Sequence, residues 1–443
     1  YEGKNVTVTI YDSNYDIPVD KVLKSVDGIQ SAENAYEIGR TGNPIERVRD
    51  IIGAMRGHRE AQIAATVDEE SLRGTLNEIA DTALTEPVNP TWELKDSNLI
   101  VHSGKPGVKF DTDTVEQALT DQIRLMDFEP YEVSTDVTAA PAIDVDKIAA
   151  DIIGDPVNAT VSKEDGKTII AGKAGVSFDT DKAKEIIGDG SQETYTIPVT
   201  ITQPSITAET LKAKLFHDTL ARTATNLDEG NAPRTNNIRL AAKAINGTIL
   251  NPGDEFSYNG TVGERTAARG YQEAHAYSGG KIIDEFGGGV CQPSSTLYMA
   301  VLRADLKVTE RHNHSFTVSY TPLGEDATVD YGNLDFRFVN NTAYPVKILA
   351  EQTDGQMIMT IVGTKTSDKT VTTRTEVLET YKPETVTKTD SSMEAGESRV
   401  ETSGITGYST KTYKQITENG KTTEVLANSS TYSKRDEVVY VGE

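Results

Sequence analysis

Only one cysteine, Cys291, occurs in 443 residues. An internal disulfide is excluded, and any thiol chemistry has a single address. Histidine is scarce as well, at six, so imidazole catalysis is confined to a few positions. Trp92 is the lone tryptophan, and a single aromatic packs into a core more often than it serves as a sugar platform. No apolar run approaches the roughly 20 residues of a membrane helix. Positive charge is in deficit, with a formal net charge of −24. That balance excludes nucleic acid and anionic lipid as principal partners, and affinity for an anionic polymer would have to come from local pockets. The chain opens at Tyr1 without methionine, which leaves room for a signal or membrane anchor outside these residues.

The cysteine sits in an unusual setting, Gly287-Gly288-Gly289-Val290-Cys291-Gln292-Pro293-Ser294-Ser295-Thr296. Three consecutive glycines permit a tight turn and close approach of a ligand to the main chain. Pro293 suits a first helical position, and the apolar pattern of residues 297–302 carries a helix onward. The spacing therefore predicts Cys291 just before a helix N-terminus, where partial positive charge favours the thiolate. Main-chain amides about Gly288, Gly289 and Gln292 are the candidate oxyanion donors.

About twenty residues on comes Arg311-His312-Asn313-His314-Ser315, followed by strand-like Phe316 to Tyr320. On a strand, His312 and His314 would share one face, so that one is the base and the other lines the site. Asp326 and Asp330 are candidates to orient that base. Arg265, Arg269, Lys281 and Arg311 are cations able to hold a peptide carboxylate, with Arg311 favoured because it adjoins the histidines. Tyr258, Tyr271, Tyr277 and Tyr298 are candidates to line a groove. Cys291, His312 and His314 offer three zinc ligands without a suitably spaced fourth, so neither metal nor cofactor is expected. His58 reads as a solvated helix-end residue and His102 as a packing residue. His217 and His275 have no assigned role. The bland alternative is that Cys291 is a buried small hydrophobe in a non-catalytic protein.

Along the chain, residues 5–11 alternate as a half-buried strand, and 33–40 and 44–56 read as helices. Residues 61–203 then repeat. Val88-Asn89-Pro90-Thr91 returns as Val157-Asn158-Ala159-Thr160, and Gly107-Val108-Lys109-Phe110-Asp111-Thr112-Asp113 returns as Gly175-Val176-Ser177-Phe178-Asp179-Thr180-Asp181. Each copy reads helix, strand, turn, strand, helix, strand, with helices expected at 70–83 and 114–125 in the first. The Phe-Asp-Thr-Asp element caps its helix on this reading and is not a calcium loop. Residues 206–221 read as a helix leading into the central domain. After Gly363 the composition turns Thr-, Lys- and Glu-rich, with short alternating strands.

Residues 215–363 resemble the VanW-like family. The resemblance runs through Arg239 to Ala242, Asn246 to Ser257, Val262 to Arg265, Gly270-Tyr271, Gly287 to Gln292, Arg311 to Ser315, Gly324 to Val329 and Asn340-Asn341. The repeats are similar to a peptidoglycan-binding domain family that precedes such domains in surface proteins. The final 75 or so residues resemble the G-five domain through Gly396, Gly404, Gly407, Gly420 and Gly442. The resemblance implies an α+β multidomain protein. Residues 1–139 would hold an N-terminal segment and the first repeat, 140–205 the second, 206–365 the catalytic domain, and 366–443 an elongated all-β domain. It further implies an extracellular, cell-wall-associated acyltransferase of L,D-transpeptidase type, with Cys291 as nucleophile and His314 as base. Its partners would be peptidoglycan stem peptides and glycan. Spacer roles for the repeats and the β domain, and a purely wall-binding scaffold, are the alternatives.

Overall fold

Short alternating strands open the chain in the computed structural model, which describes residues 1–278, 281–353 and 355–442. The chain divides into two units, residues 1–155 with 175–202, and residues 156–174 with 203–443.

In the first unit, Asn5–Ile10 pairs antiparallel with Ser13–Pro18, burying Val6, Val8 and Ile10 in register with their alternation. Helices Glu69–Ala83 and Thr112–Arg124 close over them and contribute Leu72, Leu76, Leu119 and Ile123 to one core. The repeat is visible as structure. Thr85 bridges Val108 and Val88 bridges Lys105 in the first copy, while Gly154 bridges Val176 and Val157 bridges Lys173 in the second. Asp111 caps helix Thr112–Arg124 and Asp179 caps helix Thr180–Ile187, each accepting N–H bonds of its helix's first turn. Capping thus accounts for the acidic pair. Trp92 is half-exposed on strand Thr91–Lys95, not a core residue. Within residues 140–205, residues 156–174 group with the second unit.

The second unit is built on a four-stranded antiparallel sheet, in the order Asp218–Asn226, Gln356–Gly363, Val346–Thr353, Ile249–Leu250. The expected helix over 206–221 ends early, at Ala208–Lys214. Beyond it Ala221, Thr223 and Thr225 alternate inward, a period of two that fits a strand against Gln356–Gly363 and not a helix. Helix Ala232–Ile245 packs on Val346–Thr353, and helix Cys291–Arg303 packs on the two neighbouring strands. Every residue from Gln292 to Leu302 is buried. At roughly 1.5–3 kcal/mol per fully buried large side chain, Leu297, Val301 and Leu302 alone fix this helix firmly in the core.

Residues 370–442 form two three-stranded sheets, Thr370–Tyr381 with Gly407–Glu418 and Lys421–Tyr432, and Thr385–Asp390 with Glu437–Gly442 and Ser398–Thr402. Their buried side chains are few and mostly hydroxylic: Thr410, Thr412, Ser430 and Tyr432. No described helix is long and apolar enough to cross a membrane.

Candidate functional site

The hairpin Glu273–Ser278 and Lys281–Phe286 delivers the chain into the triple-glycine turn. Each glycine answers a different neighbour. Gly287 and Gly289 have φ of +87° and +104°, and a Cβ there would sit 2.7 Å from Arg265 Cβ and Arg234 Cγ respectively. A Cβ on Gly288 would collide with the Ala274 carbonyl oxygen. The buried Asn237 amide holds the turn from below, donating to the carbonyls of Gln272 at 2.8 Å and Gly288 at 3.0 Å.

The helix begins at Cys291 itself, two residues earlier than the Pro293 signal indicates, with Val290 in helical geometry before it. Ser294 and Ser295 are consequently buried inside the helix and cap nothing. Ser295 Oγ donates to the Cys291 carbonyl at 2.8 Å and accepts from Ala327 N–H at 3.0 Å, tying the helix to the segment that carries Asp326. Gly288 N–H and Gln292 N–H are spent on the carbonyls of Glu285 and Gly289, so the expected oxyanion role of those two amides is not supported. Gly289 N–H and Cys291 N–H have no acceptor among the described residues. The Gln292 side chain is buried, receives Arg234 at 2.8 Å, and donates to Thr225 and Asn226.

Cys291 is half-buried as a residue. Its sulfur has Thr328 Oγ1 and Val329 N–H both at 3.5 Å, and the His314 imidazole is near enough to act on the thiol's ionisation. His314 Nδ1 bonds Asp326 Oδ2 at 2.7 Å, and the His314 main-chain N–H donates to the same oxygen at 2.7 Å. Nδ1 being taken, Nε2 is the ring nitrogen left to act on the thiol, and the Tyr320 hydroxyl comes within 3.4 Å of it. Asp326, 1% exposed, receives Arg311 on its other oxygen at 2.9 Å.

Electrostatics follow from this chain of contacts. Burial penalises the Cys291 thiolate, yet the bond and charge of His314, with Thr328 and Val329, bring the thiol below its usual value. Burial likewise opposes a charged His314, but Asp326 and Cys291 outweigh it and push the imidazolium up to about 9. Asp326 is held below the usual carboxylate range, its desolvation overcome by His314 and Arg311. Burial holds Tyr320 far above its ordinary value, so the phenol stays a neutral donor. At neutral pH the group can stand as a thiolate–imidazolium–carboxylate relay.

Other expected positions diverge. Residues 311–320 do not form the regular strand that would align both histidines: only His312 bridges, to Thr328, and its Nε2 turns to Glu310 at 3.2 Å. Asp330 bonds Asn333 and reaches neither imidazole, so the orienting carboxylate is Asp326. Arg311, with its side chain 6% exposed, is spent on Asp326 and Ser430 and cannot serve substrate. Tyr271 is buried in the core, which removes it from any groove, and Arg269 is tied to the Glu264 carbonyl. The side chains of His275, Tyr277 and Lys281 lie outside the described residues. Arg265 is the cation that remains: its three guanidinium nitrogens are buried without a hydrogen-bond partner among the described residues. It lies 5.6 and 5.7 Å from the rings of Tyr258 and Tyr331.

Sequence reading missed Arg234, Asn237, Tyr320, Thr328 and Tyr331, which come from separate segments and carry no local motif. A cavity of about 360 Å³ is lined by Glu310, Arg311, His312 and Asn428, and Cys291 is not among its lining residues. Among the described residues no group of three His, Cys, Asp or Glu is placed to hold a metal ion.

Three family profiles match: "VanW like protein" over residues 233–362, "Putative peptidoglycan binding domain" over 15–132, and "G5 domain" over 370–443. The chain is 35% identical over 212 residues to the uncharacterized protein YoaR of Bacillus subtilis, spanning 47% of this chain and 69% of that protein. It is 29% identical over 134 residues to the vancomycin B-type resistance protein VanW of Enterococcus faecalis, covering 29% of this chain and 49% of that one. The structure of an IgA1 protease G5 domain aligns with 18% of this chain and 95% of its own, at 15% identity and a TM-score of 0.14. By its identity to YoaR over more than two thirds of that protein, and by the profile that spans its cysteine turn, the chain belongs to the VanW-like family.

Proposed function

We propose that this protein is a cell-wall acyltransferase that forms a thioester between Cys291 and a peptidoglycan stem peptide. One observation carries the reading: the chain's only thiol, on a half-buried residue, has its ionisation favoured by an imidazole that a buried carboxylate holds from behind. A cysteine nucleophile, an imidazole base and a carboxylate that orients it are a sufficient set for acyl transfer.

The thiolate attacks the donor carbonyl carbon, a C–S bond forms, and the carbonyl oxygen takes the negative charge. Gly289 N–H and Cys291 N–H, which have no acceptor among the described residues, are the donors assigned to receive it. Collapse breaks the C–N bond, and His314 gives its proton to the leaving amine. An amine of a neighbouring stem then attacks the thioester, loses a proton to His314, and restores the thiolate. The outcome is a cross-link of L,D-transpeptidase type. Water in place of that amine would make the same machinery a carboxypeptidase.

Arg265 is the residue assigned to a stem-peptide carboxylate, since a buried guanidinium with no hydrogen-bond partner among the described residues is costly to keep. The repeats and the C-terminal β domain would hold the protein to peptidoglycan outside the cell. Disaccharide-tetrapeptide incubated with wild type and with Cys291→Ala, followed by product mass analysis, tests the proposal. Cross-linked or trimmed product from wild type alone supports it, and equal product from the variant removes Cys291 from the chemistry.

A further inference from the structure

Asp326 lies at the centre of the relay, and its carboxylate accepts four hydrogen bonds. Three come from its own domain: His314 N–H, His314 Nδ1 and Arg311. The fourth comes from the last long strand of the C-terminal β domain, whose Tyr432 hydroxyl donates to Asp326 Oδ1 at 2.5 Å. Tyr432 is 1% exposed, and its oxygen also accepts the Gly324 N–H at 2.8 Å.

This contact belongs to a fitted seam. Along strand Lys421–Tyr432, residues 428, 430 and 432 share one face by the two-residue period. Asn428 donates to the Tyr298 hydroxyl and the Gly324 carbonyl, at 2.7 and 2.9 Å. Ser430 receives Arg311 at 2.8 Å. Two more bonds close the edge, Ser433 N–H donating to Ser315 O at 2.7 Å and the Asn313 side-chain amide to Thr431 O at 2.8 Å. Gly324 is a glycine for the same reason, because a Cβ would collide with the Thr412 hydroxyl.

We propose that Tyr432 is a positioning residue of the catalytic relay: the C-terminal β domain fixes the Asp326 carboxylate, directly through Tyr432 and indirectly through Ser430 and Arg311. The domain is therefore part of the site and not only a wall-binding or spacer element. A buried carboxylate oxygen deprived of one donor is a poorer anion and is free to turn. His314 then loses part of its fixed partner, and Cys291 part of its counter-ion. The ionisable groups facing Asp326 or its partners are His314 and Arg311 on its own side, Cys291 and Tyr298 on the helix, Tyr320 beside the imidazole, and Tyr432 from the β domain.

The inference rests on Cys291, His314 and Asp326 acting together, but its test needs no peptidoglycan. Alkylation of the full-length protein by iodoacetamide, followed by mass across pH, reports the Cys291 thiolate alone. Tyr432→Phe is expected to raise the alkylation midpoint by at least about half a pH unit, roughly a threefold loss of thiolate below the midpoint. Thr375→Val removes a comparable seam bond, to the Leu323 carbonyl at 2.9 Å, without touching Asp326 or Arg311, and should superimpose on wild type. Ser430→Ala is the milder variant, expected to shift in the same direction, and carries the test if the phenylalanine variant does not fold. An unchanged or lowered midpoint in the folded variants, or an equal shift in Thr375→Val, overturns the proposal. A null result in the peptide assay with these shifts intact would count against the acyltransferase reading alone.

Discussion

Replacing His314 by alanine isolates what the imidazole does for the thiol. In the native site, burial alone would drive the Cys291 thiol upward, and it is brought below its usual value chiefly by the bond and charge of His314. With the ring gone, only Thr328 Oγ1 and Val329 N–H remain, both at the long distance of 3.5 Å. Burial should then dominate and carry the thiol above its usual value, leaving little thiolate at pH 7. Loss of the base should also lower turnover by about 10²–10⁴-fold. The assay benefits from the composition, because a single cysteine makes every iodoacetamide adduct a report on Cys291. Alkylation at pH 7 should slow sharply in His314→Ala and stay near wild type in His312→Ala, whose ring faces Glu310. Equal alkylation in wild type and His314→Ala, or slowing only in the His312 variant, would refute the assigned base.

Three further outcomes follow from the same geometry. Gly288→Ala should destabilise the protein by about 1–3 kcal/mol in urea unfolding, because the added Cβ meets main-chain oxygen that cannot swing aside; unchanged stability would contradict that contact. Arg265→Gln should raise KM for donors bearing a free carboxylate by roughly 10–100-fold, the worth of a charge-assisted hydrogen bond, while iodoacetamide labelling stays unchanged. His314 is raised to about 9 from an unfolded value near 6.5, so its contribution to stability is complete below about pH 6.5 and is lost as pH rises through about 9. The melting temperature of wild type should accordingly fall more between pH 7 and 10 than that of His314→Ala, and parallel curves would argue against the shift.

Much of the site is legible in the sequence because its signals are local. The triple glycine marks close approaches, the apolar run after Pro293 marks the helix, and a scarce histidine follows within reach. What stays hidden depends on distant segments. Asp326 and Asp330 differ by four residues and look alike in sequence, and the choice falls to Asp326 because Ser295 binds its segment through Ala327 N–H. Arg311 looks like a free cation until the fold shows Asp326 and Ser430 around it. Tyr432 is beyond local inference, being 106 residues from the carboxylate it holds. The early end of the expected 206–221 helix has a different cause, since sheet pairing with Gln356–Gly363 decides the conformation of residues whose own preference is weak. The repeat was readable as a repeat, but the grouping of residues 156–174 with the second unit was not, because strand and bridge partners far along the chain set which residues fold together.

The account stands most directly on whether a thioester forms at Cys291. Wild-type protein quenched in acid after brief exposure to disaccharide-tetrapeptide, digested, and analysed by mass should show the peptide spanning Cys291 heavier by the acyl fragment, and hydroxylamine should release it. A reactive, readily alkylated Cys291 that never carries the acyl mass, while product still accumulates, would contradict it.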